Sequence, residues 1–116
     1  MDRIFIEHLA LRGKHGVSGE ERSHEQEFVL DVTVDFDTAV AAKSDELSDT
    51  IDYNHFRDAA RAVVAGPSFK LLERLADAVA QRILDEQRIA AVSVTVRKTE
   101  MFPDCTPGVT VKRQRV

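Results

Sequence analysis

From Phe28 to Phe36 the chain alternates without a break, with Phe28, Leu30, Val32, Val34 and Phe36 on one side and Val29, Asp31, Thr33 and Asp35 on the other. A period of two is the mark of a half-buried antiparallel strand, one face on a core and the other toward something polar. Ala91 to Lys98 follows the same rule, with Val92, Val94 and Val96 inward and Ser93, Thr95 and Arg97 outward. Arg3 to Arg12 also reads as a strand, but Ile4, Ile6 and Ala10 occupy one register while Phe5, Leu9 and Leu11 occupy the other. Two apolar registers in one strand point to a bulge or to cover on both faces. A loop with Pro103 and Pro107 leads to a last strand at Val109 to Arg113.

Between the strand pairs the period changes to that of helices. Asp52 stands where it can cap a helix running to about Ala65, with Phe56, Ala59, Ala60, Val63 and Val64 as its apolar stripe and Gly66-Pro67 as its stop. A second helix is expected from Ser68 to Glu86, carrying Leu72, Leu75, Ala76, Val79 and Ile83. Gly13 to Glu27 reads as a polar loop too hydrophilic to be core, and Asp37 to Thr50 as an acidic connection. The order β-β-α-α-β-β implies an α+β fold, an antiparallel four-stranded sheet with two helices on one face, in a single domain over residues 1–116. Such a sheet leaves two open edges and a bare second face bearing Asp31, Thr33 and Asp35. Edges are usually paired or covered, so sheets from several copies are expected to join into a closed oligomeric barrel with a wet lumen.

Composition narrows the partners. A net charge of −4 gives no electrostatic hold on nucleic acid or an anionic membrane. No apolar run approaches the roughly 20 residues that cross a bilayer, and Met1-Asp2-Arg3-Ile4 lacks a signal-peptide layout, so a cytoplasmic protein is expected. One cysteine, Cys105, allows no internal disulfide. His8, His15, His24 and His55 show no helical i, i+4 pair, so no metal is expected, and dinucleotide, P-loop and serine-hydrolase motifs are missing, so no cofactor is expected.

Among residues able to carry chemistry, Lys98 stands out because it continues the inward register of Val92, Val94 and Val96. A lysine taken out of water gives up its proton more readily and can serve as a base near neutral pH; a lysine at a strand end can equally snorkel into solvent beside Arg97. Glu73 could accept paired N–H bonds from a guanidine-like ring edge, or simply complement a helix dipole. Glu20, Glu21 and Tyr53 read as surface acids and a half-buried tyrosine.

Five stretches in order carry a family resemblance. They are Arg3-Ile4-Phe5-Ile6; His15-Gly16-Val17 with Glu20-Glu21; Ala42 to Tyr53, which includes Ser44-Asp45 and Asp49-Thr50; Leu71-Leu72-Glu73 with Leu75-Ala76; and Val94 to Lys98. Over essentially its whole length the chain resembles the dihydroneopterin aldolase family, which has the tunnelling fold. The resemblance implies Lys98 as the catalytic acid–base residue, with Glu73 and the backbone of Leu72 holding the amino-pyrimidinone edge of a small-molecule pterin. It further implies Tyr53 from a neighbouring subunit covering the pterin and passing protons, and Glu21 holding substrate or orienting a catalytic water. Backbone groups near Ile51 and Asp52 would complete the pocket, in a homo-oligomer that is a tetramer or an octamer with active sites at subunit interfaces. The implied reaction is a metal-free retro-aldol cleavage of 7,8-dihydroneopterin in folate biosynthesis.

The chain departs from the family's pattern at Thr99 to Gly108, where many members have a proline after the lysine and a P-[IV]-P-G-like segment, and at Lys14, where aromatic residues are common. The departure near Lys98 keeps two alternatives in view, a 2′-epimerase that re-forms the bond after cleaving it and a non-catalytic pterin-binding module.

Overall fold

In the computed structural model, which describes residues 1–115, the alternating segment forms β2 (Gln26–Phe36) in the interior of an antiparallel sheet. Around it run β1 (Asp2–Gly13), β3 (Ala91–Lys98) and β4 (Gly108–Gln114), in the order β1-β2-β3-β4. The inward residues Phe28, Leu30, Val32 and Val34 are completely buried, and Val92, Val94 and Val96 of β3 meet them across the ladder. Each such side chain taken from water is worth about 1.5–3 kcal/mol, which pins the register of the sheet.

The double apolar register of β1 is a bulge. Ile4 and Ile6 pair with Val34 and Val32, then the register slips, and Leu9 and Leu11 pair with Leu30 and Phe28. The slip turns both halves toward the core and sends Phe5 outward. His8 sits at the slip with φ 58°, and its N–H donates to Asp31 Oδ1 at 2.9 Å. Burial pushes the Asp31 carboxyl up, but the His8 N–H and the Arg97 guanidinium at 2.7 Å outweigh it and hold it below its ordinary value.

Two helices, α2 (Asn54–Val64) and α3 (Leu72–Ile83), cover the inward face with Phe56, Ala60 and Val64 from one and Leu75, Val79 and Ile83 from the other. Asp52 lies two residues ahead of α2, and its Oδ1 accepts the Asn54 N–H at 2.9 Å. The opposite face is polar, with Thr95 and Thr110 hydroxyls 2.7 Å apart and Arg3 reaching Asp35 at 3.5 Å.

The second helix is shorter than its apolar spacing implies. It begins at Leu72 and not Ser68, because the chain before it is held extended by pairing with the loop at His15 and Gly16. It ends at Ile83 and not Glu86, where the chain turns and Arg115 caps the free carbonyls, Nη2 donating to Leu84 O at 2.5 Å. The acidic connection is also more ordered than expected, with a short helix, α1 (Ala39–Ser44), and a single 3-10 turn at Leu47–Asp49. Among the described residues no helix is long and apolar enough to cross a membrane.

Candidate functional site

Lys98 is the last residue of β3, and the strand's parity carries it onto the covered side. Its side chain is only 11% exposed, and Nζ donates to Glu21 Oε2 at 2.5 Å. The buried alternative, not the snorkelling one, is therefore the one adopted. Glu21 opens a single 3-10 turn, Glu21–Ser23, whose N–H donates to Ser18 Oγ at 3.1 Å. The Lys98 ammonium, helped by the Ser18 N–H, holds the Glu21 carboxyl below its ordinary value against the opposing effect of burial. Glycine at position 16 makes this possible. A Cβ there would lie 2.6 Å from Glu21 Cδ and 2.7 Å from Oε2, so any side chain would displace the carboxylate.

The polar loop that carries Glu21 is not wholly outside the core, contrary to what its composition implies. His15 is 2% exposed, stacked on Phe69 and edge-on to Phe28. Arg22 straps the loop, Nη1 donating to the carbonyls of Gly16 at 2.9 Å and Val17 at 2.7 Å. Sequence reading gave the His15 ring no role; a histidine beside two glycines in a strongly polar loop was the signal available.

These elements surround a cleft of about 230 Å³, lined by Val17, Leu72, Glu73, Lys98, Met101 and Phe102 among others. Glu73 lies in the first turn of α3, exposed, with no hydrogen bond or ion pair among the described residues. Leu71 caps that helix in an extended conformation without a side-chain bond, so the first-turn N–H groups of Leu72 and Glu73 have no intrahelical acceptor. The cleft thus offers a lysine held by a carboxylate, and, among the described residues, a second carboxylate without a partner and amide donors without an intrahelical acceptor, between apolar walls. That combination can hold a flat heterocycle by one polar edge and move a proton on a substituent.

The departing segment after Lys98 forms one wall. Glu100 anchors it, accepting the Glu27 N–H at 3.0 Å and an Arg12 guanidinium N–H at 3.3 Å, and Met101 and Phe102 face the cleft beyond it.

Tyr53, Ile51 and Asp52 are not brought to this cleft. They line a second recess of about 400 Å³ with Ile4, Thr38 and Leu47, where Tyr53 is 59% exposed. Lys98 pairs with Phe28 and Ile4 with Val34, six steps apart along β2, which puts the two recesses roughly 20 Å apart at about 3.3 Å per residue. Among the described residues, no group of three or more His, Cys, Asp or Glu side chains converges as metal ligands would.

Comparison with known proteins matches residues 4–113 to the family model for dihydroneopterin aldolase (FolB). A dihydroneopterin aldolase of Streptomyces coelicolor is 38% identical over 121 aligned residues, covering 100% of both chains. The crystal structure of the Escherichia coli dihydroneopterin aldolase in complex with neopterin superposes with a TM-score of 0.92 at 32% identity, covering 97% of this chain and 99% of that one. A dihydroneopterin aldolase from Burkholderia, bound to guanine, superposes at 0.82 and 25% identity, covering 99% of this chain and 92% of that one. The chain belongs to the dihydroneopterin aldolase family.

Proposed function

We propose that this protein is a lyase that cleaves the C1′–C2′ bond of 7,8-dihydroneopterin, releasing glycolaldehyde and leaving 6-hydroxymethyl-7,8-dihydropterin. The observation that carries the reading is Lys98, sheltered in the wall of the cleft and paired with Glu21, facing a cleft that also presents the Glu73 carboxylate, which has no partner among the described residues. Neopterin and guanine, the ligands of two related structures, share the amino-pyrimidinone edge that such a carboxylate would grip. Glu73 accepts the two N–H groups of that edge, and the Leu72 N–H donates to the ring carbonyl.

With the ring held, the side chain meets Lys98. Once the ammonium has passed its proton to solvent, the Lys98 amine, directly or through a water, takes the 2′-hydroxyl proton; C2′ becomes the aldehyde carbon as the C1′–C2′ bond breaks, and the bonding pair moves into the ring's C6=N5 group. The ammonium so formed returns the proton to C1′, restoring C6=N5. No bond forms between Lys98 and substrate, because the ring is its own electron sink. Glu21 steadies the ammonium and orients the water.

The active unit is inferred to be a cytoplasmic homo-oligomer of this single domain. Head-to-tail contact between copies would set the Tyr53 recess of one, with Ile51 and Asp52, against the Lys98 cleft of the next, where Tyr53 covers the pterin and relays protons.

The test is incubation of the purified protein with 7,8-dihydroneopterin and separation of the products. Equimolar hydroxymethyl-dihydropterin and glycolaldehyde are expected. The atypical wall of Met101 and Phe102 keeps one second reading, a 2′-epimerase, and the epimer as sole product would establish it; unchanged substrate despite tight binding would reduce the protein to a pterin-binding module.

A further inference from the structure

We infer that His15 is a positioning residue that sets the spacing between the Lys98–Glu21 pair and the Glu73 anchor; the inference rests on the lyase reading above. His15 and Lys98 are the two buried polar side chains of the described fold, and His15, although it borders the cleft, is the one to which the proposed chemistry gives no role. Both of its ring nitrogens are committed. The Phe69 N–H donates to Nδ1 at 3.0 Å, which leaves Nε2 as the protonated nitrogen, donating to Val64 O at 2.8 Å. Beside this, the Gly16 N–H donates to Phe69 O at 3.0 Å, so loop and chain form one rung of a ladder.

The two sides of that rung carry the two halves of the site. On one side the loop continues to Glu21, and the Gln26 amide bonds both His15 O at 3.1 Å and Glu21 O at 3.2 Å. On the other side the extended segment runs from Phe69 directly into α3 and Glu73. Beneath both, the ring edge rests on Phe28, the cross-strand partner of Lys98, with centroids 5.4 Å apart. A shift of the His15 ring therefore moves Glu21 and Glu73 relative to each other, and misplacement by about 1 Å can cost on the order of 10²-fold in rate.

The experiment compares His15→Phe, His15→Gln and a core control, Val79→Ala, by melting temperature, neopterin affinity, and kcat and KM for 7,8-dihydroneopterin at a temperature where all are folded. Val79 is buried in α3 away from the cleft, so its loss of stability should leave kcat/KM unchanged. His15→Phe keeps a stacked ring but neither hydrogen bond, and is expected to lose roughly 10²-fold in kcat/KM, in both kcat and KM. His15→Gln, with one donor and one acceptor, is expected to recover about tenfold of that. Wild-type kcat and KM in His15→Phe, or an equal loss in Val79→Ala, overturns the inference. If His15→Phe does not fold, His15→Gln against Val79→Ala decides on the same criterion. A wild-type protein that leaves dihydroneopterin intact refutes the lyase reading instead, and the neopterin affinities of the same variants still test the role of His15.

Discussion

Replacing Glu73 with alanine separates the grip on the ring from the chemistry on its side chain. The carboxylate is exposed in the first turn of α3 and has no partner among the described residues, so its removal strands no buried group. Folding should lose no more than a helix-dipole contribution, about 0.3–1 kcal/mol, or less than about 8 °C in Tm. The bound state loses far more. A hydrogen bond to a charged group is worth about 1.5–3 kcal/mol, so the two N–H donors of the pterin edge together lose roughly 3–6 kcal/mol. At about 1.4 kcal/mol per decade, affinity falls on the order of 10²- to 10⁴-fold. Glu73→Gln, which keeps one acceptor, should fall between wild type and alanine. Fluorescence titration with neopterin reads the affinity without turnover, since its aromatic ring resists accepting the electron pair. A dissociation constant within about threefold of wild type in Glu73→Ala would refute the anchor, and a larger fall in Tm would mean that Glu73 supports the fold instead.

Three other perturbations follow from the same geometry. Lys98→Ala should slow single-turnover cleavage by about 10²- to 10⁴-fold while neopterin affinity stays within about threefold; a parallel collapse of affinity would contradict the division of roles. Gly16→Ala puts a Cβ 2.6 Å from Glu21 Cδ, so urea unfolding should show a loss of about 1–3 kcal/mol and kcat should drop; unchanged kcat would mean the Glu21 contact is dispensable. Glu21, Asp31 and Asp77 all have carboxyls held below ordinary values of 4.5, 3.8 and 3.8, Asp77 chiefly by the Arg113 guanidinium. Their contribution is complete above those ordinary values and is lost as pH falls through the lower folded ones. The urea midpoint should therefore be level from about pH 5 to 7 and decline below about pH 4.5, and a rise on acidification would count against these pairings.

Legibility in the sequence followed the range of the force concerned. Strand parity projects a side chain inward or outward from local alternation alone, so the covered position of Lys98 and the anomaly in β1 could both be read from neighbours in sequence. The contact between Lys98 and Glu21 spans 77 positions and depends on a 3-10 turn and a missing Cβ at Gly16, neither of which has a periodic signature. His15 was hidden for a related reason: its partners are the backbone atoms of Val64 and Phe69, which every residue possesses. The late start of α3 is the same fact seen from the other strand of that ladder. The Tyr53 recess was legible as a motif, but its distance from Lys98 needed the register of the sheet.

The slip at His8 contains an arithmetic of its own. From Ile6 to Leu9 the outer strand uses three steps where β2, from Val32 to Leu30, uses two, so one residue is surplus. Were His8 deleted, Ile4, Ile6, Leu9 and Leu11 would fall into a single unbroken alternation, and every apolar contact with β2 would survive. The surplus residue is thus not there for burial. What it supplies is bend, since a bulge increases the local right-handed twist, and Asp31 spends one carboxylate oxygen holding it in a left-handed conformation. Shape and cohesion are consequently written at different places in this strand, and a chain shortened by one residue would separate them, keeping a folded sheet while flattening its outer edge.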